Sequence, residues 1–194
     1  WQILDKEKRV ISILDFDYVI PLWVDSYLVV AQKGKYGLVN KEGKIVIPLK
    51  YDIAQLFYNG LALVGLNGKF GYINEKGQEI VPFIYEYSED FNHGRAVVRL
   101  NHKYGLINTE GKTITPIKYD YMYWYSEGPN VFKLDNNWGF INSEGEEVLL
   151  PKYDSMKVFK DGLAGVRNNG KWGFINKEGM QVIDTKYELV DEFN

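Results

Sequence analysis

The 194-residue chain contains no cysteine, two histidines and three methionines. Without a thiol there can be no disulfide, no thiolate nucleophile and no cysteine-ligated metal. A histidine-based zinc site would need two or three further ligands converging on His93 or His102, and both stand at turn positions that the rest of the chain fills with Asn, Gly or Asp. They are expected to be solvated turn residues, and no metal is expected. Charge of one sign is also scarce. Twenty-three Lys and Arg against 26 Asp and Glu are interspersed along the chain, for a net charge of −3. This excludes the basic footprint of a nucleic-acid binder or of a protein held on an anionic membrane. No apolar run approaches the roughly 18 residues of a membrane-spanning helix. Phosphate-loop, nucleophile-elbow, paired-histidine and acidic calcium-loop motifs are all missing, so no cofactor and no catalytic residue is expected. The chain opens on Trp1 rather than Met, which implies that an N-terminal segment, with any signal peptide, has been removed.

Fifteen Tyr, ten Phe and 19 Gly are present instead, a composition that suits half-buried strands and tight turns. One pattern organises them. An aromatic residue followed by Gly, an apolar residue, Ile or Val, and Asn occurs at Tyr36–Asn40, Phe70–Asn74, Tyr104–Asn108, Trp138–Asn142 and Trp172–Asn176, always 34 residues apart. A period of this length marks a repeat protein built from one small unit.

The unit at 60–93 is the least degraded. Gly60–Val64 and Lys69–Asn74 flank Asn67-Gly68, and two apolar runs joined by Asn-Gly predict a β-hairpin, because a type I′ turn needs two residues that tolerate positive φ. The equivalent pairs are Lys33-Gly34, Asn101-His102, Asp135-Asn136 and Asn169-Gly170. A second turn, Asn-x-x-Gly, runs from Asn40, Asn74, Asn108, Asn142 and Asn176 to Gly43, Gly77, Gly111, Gly145 and Gly179. The Asn there is expected to build the turn with its side chain. A third strand centres on Val46, Ile80, Ile114, Val148 and Val182, and Pro48, Pro82 and Pro116 are expected to close it, since Pro lacks the ladder donor.

Next comes an aromatic-acidic pair, Tyr51-Asp52, Tyr85-Glu86, Tyr119-Asp120, Tyr153-Asp154 and Tyr187-Glu188, with a ring six residues after each Tyr. The segment between is either a short fourth strand or an extended return. A catalytic acid is needed once, in one tuned environment, whereas these carboxylates recur in every unit and are expected to accept donors from turns. The Gly inside the second strand implies close approach of a neighbouring backbone or ring, such that a side chain there would force the units apart. The aromatic beside it, Tyr36, Phe70, Tyr104, Trp138 or Trp172, is expected in the core.

A unit reading Gly-Leu-Ala-x-Val, Asn-Gly-Lys-Trp-Gly-Phe-Ile-Asn-x-x-Gly and Val-Ile-x-x-x-Tyr-Asp resembles the bacterial WG repeat, also called the KWG repeat. Lys171–Gly179 is nearly its consensus, and the likeness covers essentially the whole chain. The departures are Tyr or Phe for Trp in three copies and a decayed first copy. The resemblance implies an all-β interaction module without catalytic residues in a bacterial protein; the sequence leaves its compartment open, cell envelope and secretion included. The expected architecture is an open array of about six 34-residue three-stranded β-hairpin repeats, with a small-bladed β-propeller as the alternative. As one array over 1–194, it divides into a degenerate repeat at 1–35, then 36–69, 70–103, 104–137 and 138–171, and an incomplete repeat at 172–194.

The period breaks most visibly at Tyr121-Met122-Tyr123-Trp124-Tyr125, which carries rings beyond what the repeat needs. Rings in excess are candidates for contact; filling a locally wider gap is the alternative. The nominated surface is Tyr121, Tyr123 and Trp124, with Arg95 and Arg99 of the preceding unit alongside. The partner is expected to be a protein, or alternatively a glycan of the kind a carbohydrate- or cell-wall-binding module takes.

Overall fold

The structure, a computed structural model, describes residues 1–4, 7–13, 15–20, 27–123 and 129–190. All regular structure among them is β, and no helix is long and apolar enough to cross a membrane.

The strands fall into six small antiparallel sheets. β1 (Gln2–Leu4) and β2 (Val10–Ile13) form the first. The second has β3 (Tyr18–Val19), β4 (Tyr27–Gln32), β5 (Lys35–Asn40) and β6 (Ile45–Tyr51) in sequential order. The third repeats this with β7 (Ile53–Tyr58), β8 (Leu61–Leu66), β9 (Lys69–Asn74) and β10 (Glu79–Tyr85). The fourth has only β11 (Tyr87–Ser88), β12 (Arg95–Leu100) and β13 (Lys103–Asn108). The fifth comprises β14 (Tyr121–Tyr123), β15 (Asn130–Leu134), β16 (Asn137–Ile141) and β17 (Glu147–Tyr153). The sixth comprises β18 (Ser155–Met156), β19 (Leu163–Asn168), β20 (Lys171–Asn176) and β21 (Gln181–Tyr187). The segment after the Tyr-acid pairs at 51–52, 85–86, 119–120 and 153–154 is therefore a further strand, added to the three the sequence requires.

By contact, the chain forms two compact units, Trp1–Ala96 with Asn108–Lys112, and Val97–Ile107 with Thr113–Asn194. In the first, Val29, Leu38 and Ile47 of the second sheet pack with Ala54, Phe57, Val64 and Ile73 of the third. In the second, Val131, Phe140, Leu149 and Tyr153 of the fifth sheet pack with Met156, Phe159, Val166 and Ile175 of the sixth. Each core lies between successive sheets, which is why single units of this size need neighbours. The choice between an open array and a ring turned on a pairing near Phe193, which lies outside the described residues.

Turn chemistry sets the register. Both central residues of every tight hairpin have positive φ, at Lys33-Gly34, Asn67-Gly68, Asn101-His102, Asp135-Asn136 and Asn169-Gly170. In the second turn the Asn side chain accepts two backbone N–H groups; Asn40 Oδ1 takes those of Glu42 and Lys44 at 3.2 and 2.9 Å, and the other four copies do the same.

Pro48 and Pro82 lie within the third strand rather than closing it, and Pro116 stands outside any strand. Tyr36 and Leu38 pair with Tyr51 and Ile47, so four residues of β6 answer two of β5, and the same bulge recurs in the third, fifth and sixth sheets. Pro48, Pro82 and Pro151 occupy the bulge, where a missing N–H costs nothing. Opposite stands the strand Gly. A Cβ on Gly37, Gly71, Gly139 or Gly173 would come within 2.5, 2.6, 2.3 or 2.4 Å of a third-strand carbonyl oxygen. A side chain there would drive the third strand off the second within one sheet, rather than force units apart.

Candidate functional site

The periodic rings are not core residues. Tyr36, Phe70, Tyr104, Trp138 and Trp172 are all half-buried. They share a strand face with Leu38, Tyr72, Leu106, Phe140 and Phe174, which are sealed, but stand two residues nearer the hairpin turn, where the core runs out. Buried rings also come from the Tyr-acid pairs, at Tyr51, Tyr85, Tyr119 and Tyr153, and from Phe57, Phe91 and Phe159.

Cross-strand register places Tyr36, Phe70, Trp138 and Trp172 each in a row of four residues. The rows read Tyr18, Ala31, Tyr36, Tyr51 in the second sheet; Ile53, Gly65, Phe70, Tyr85 in the third; Tyr121, Lys133, Trp138, Tyr153 in the fifth; and Ser155, Arg167, Trp172, Tyr187 in the sixth. The last two columns stay aromatic, whereas the first two change chemistry from copy to copy. Two residues further along the short strand, position 123 changes as well. Its counterparts at the 34-residue period are Gln55, Glu89 and Lys157.

In the fifth sheet these variable positions make a slot. The Tyr123 and Trp138 rings lie nearly parallel, 15° apart with centroids separated by 6.4 Å. Tyr121 stands edge-on to both, at 4.5 Å and 71° from Tyr123 and 6.3 Å and 70° from Trp138. Asp120 and Lys133 complete the lining of a cavity of about 450 Å³. The Asp120 carboxylate accepts from the Lys103 ammonium and, at 2.9 Å, from the backbone N–H of Asp135. The Lys103 contact chiefly holds its carboxyl below the ordinary value of 3.8, so it is ionised at neutral pH. Asp52 repeats the arrangement with Lys35 at 2.5 Å and the Asn67 N–H at 2.7 Å. Both carboxylates tie the second strand of one sheet to the hairpin turn of the next.

Of the nominated residues, the structure brings together Tyr121, half-buried, and Tyr123, 42% exposed. Arg99 reaches them through Tyr104: its guanidinium lies over that ring at 5.8 Å, and the ring is 5.5 Å from Tyr121. Arg95 belongs to the other compact unit, where its backbone closes a bridge with Asn92, and it is not among the slot's lining residues. Trp124 lies outside the described residues. Sequence reading missed Trp138, Lys133 and Asp120. The signal existed, because a two-residue turn at 135–136 pairs 134 with 137 and hence 133 with 138.

A second polar cluster occupies the loop after β11. The Tyr72 hydroxyl shares a hydrogen bond with Ser88 and donates to the Glu89 carbonyl oxygen, and Tyr87 donates to the Glu89 carboxylate at 2.9 Å. Burial raises the carboxyls of both Glu89 and Asp90, and the Glu89 charge adds to the shift on Asp90. Among the described residues no group of three His, Cys, Asp or Glu side chains could hold a metal ion.

Repeating sheets, bulge-facing glycines and Asn turns define an all-β repeat protein. The model of the WG containing repeat matches residues 36–70, 70–104, 104–136, 138–172 and 172–194, and the chain belongs to that family. No curated protein matches it. Among solved structures it is similar to Kluyveromyces lactis Hsv2, at 11% identity and TM-score 0.47, covering 81% of this chain and 59% of that one. It therefore spans less than two thirds of Hsv2. A eukaryotic initiation factor gives 10% identity and TM-score 0.52 over 86% of this chain and 53% of that one. A Bacteroides caccae protein of unknown function gives 15% and 0.34 over 94% and 88%. At such identities the likeness to the initiation factor is one of fold alone.

Proposed function

We propose that the chain is a non-catalytic interaction module, a repeat frame that holds one variable row of side chains against a protein partner through the slot of Tyr121, Tyr123 and Trp138. The supporting observation is where the copies differ. Turn Asn, bulge Gly and inner aromatic columns are kept for packing, while the outer columns carry Ala, Gly, Lys or Arg beside Tyr, Ile or Ser. Tyr and Trp rings are also among the residue types that dominate protein contacts.

A second reading, a carbohydrate-binding module, draws support from ring faces with Asp120 and Lys133 beside them, since stacking and hydroxyl hydrogen bonds suit sugars. A glycan screen run beside affinity capture, each with the wild-type chain and with Trp138→Ala, separates the two. Capture of a discrete protein by the wild type alone, with a silent glycan screen, is the expected result. Glycan binding that Trp138→Ala abolishes would establish the second reading instead, and capture insensitive to Trp138 would overturn the assignment of the contact face.

A further inference from the structure

We infer that the slot takes the ammonium or guanidinium of a lysine or arginine side chain on the partner, an inference that rests on the interaction reading above. The fifth and sixth sheets differ at this site. Position 157 is the counterpart of position 123, and in the sixth sheet Lys157 lies with its ammonium 5.6 Å from the centroid of Trp172, the counterpart of Trp138. In the fourth sheet the Arg99 guanidinium covers Tyr104, again the periodic ring. Two copies thus place a cation of the chain on the periodic ring, as the ring quadrupole favours: Arg99 from the row position that Lys133 holds in the fifth sheet, and Lys157, whose ammonium also donates to the Val190 carbonyl oxygen at 3.0 Å. In the fifth sheet Tyr123 replaces the lysine. A second ring now faces Trp138 where the chain's own cation would lie, and Tyr121 walls the side, so three π systems converge on a site fitted to a cation from outside.

Two objections can be weighed on the same geometry. Lys133 lines the cavity and repels an incoming cation, but Arg167 holds the equivalent row position in the sixth sheet and Lys157 still lies over Trp172. Asp120, also in the lining, is already paired with Lys103, which leaves the Lys133 charge to be outweighed by the ring faces, as Trp172 outweighs that of Arg167. The slot is also narrow. A planar guanidinium in van der Waals contact with both rings needs about 7 Å between their planes, twice the usual carbon contact distance of roughly 3.5 Å, more than the 6.4 Å that separates the ring centroids. Seating the cation between them therefore requires the Tyr123 ring, 42% exposed, to swing outward.

The test uses choline as the cationic probe and 3,3-dimethylbutan-1-ol as its uncharged isostere. Each is titrated into the full chain while the Trp138 indole signal is followed by NMR. Choline is expected to bind roughly 3- to 30-fold tighter than the isostere. Tyr123→Phe should retain this binding. Tyr123→Lys, which copies the sixth sheet and refills the slot from within, should lose it while keeping the wild-type amide spectrum elsewhere. Equal binding of the two probes, no binding of choline, or choline binding that survives Tyr123→Lys would each overturn the inference. A chain that captures a protein through Trp138 yet ignores choline refutes the cation and leaves the interaction reading standing; one that binds choline but captures nothing does the reverse.

Discussion

Asn130 shows how tightly the frame constrains single residues. It is 2% exposed with its side-chain oxygen unmatched, at the position where Ala62, Ala96 and Ala164 are buried. An orphaned buried acceptor costs about 1–3 kcal/mol, so Asn130→Ala is expected to raise unfolding stability by that order, read by chemical denaturation; a loss would mean that the amide has a role in the fold. Gly139→Ala should act in the opposite direction. Its Cβ would meet the Leu149 carbonyl oxygen at 2.3 Å, and a strain of this kind costs about 1–3 kcal/mol. Unchanged melting would refute the bulge account. Residues whose role is local were legible in the sequence. Asn40 and its counterparts build turns because their neighbours two and four places on supply the donors. The half-burial of Trp138 was not legible, since nothing in Trp-Gly-Phe-Ile says where the core ends.

Among elements, the carboxylate that ties one sheet to the next carries a pH signature. Asp52 and Asp120 are held below 3.8 chiefly by Lys35 and Lys103. A carboxyl depressed by folding contributes stability that is complete above its unfolded value and is lost as pH falls through the folded value. Exchanging both for Asn should therefore lower stability at neutral pH and flatten the acid limb below about pH 4; an acid limb identical to wild type would assign that loss to other groups. Glu89 and Asp90 have the reverse sign. Burial raises both, so they favour folding when protonated, and that contribution is lost as pH rises through the raised values. Asp90→Asn is expected to stabilise the chain at pH 7 and to be near neutral at pH 3, and a variant less stable at pH 7 would contradict this. The hairpins could be read from Asn-Gly turns, whereas the fourth strand could not. In every copy but β7 it has only two or three residues, too few for periodicity to show, and Thr115 accompanies the loss of the last strand of the fourth sheet. It replaces Ile47, Val81 and Leu149, and its hydroxyl accepts the Leu106 N–H at 2.9 Å in place of a regular ladder.

At the scale of the whole molecule, the 34-residue period made the family and the all-β class legible, because each copy restates the same turn and packing demands. The contact row was only half legible. Excess rings at 121 and 123 stood out against the period, but Lys133 and Trp138 are part of the period and join the slot only through register. The central claim is that frame and contact row are separable, so that row residues move binding without moving stability. The most direct measurement is the exchange Tyr123→Lys with Lys157→Tyr in one chain, read by melting temperature and by the indole signals of Trp138 and Trp172 during a choline titration. The account predicts melting within about 2–4 °C of wild type, less than 1 kcal/mol for a chain of this size, and binding transferred from Trp138 to Trp172. Binding that stays at Trp138, or a large loss of melting temperature, would contradict it.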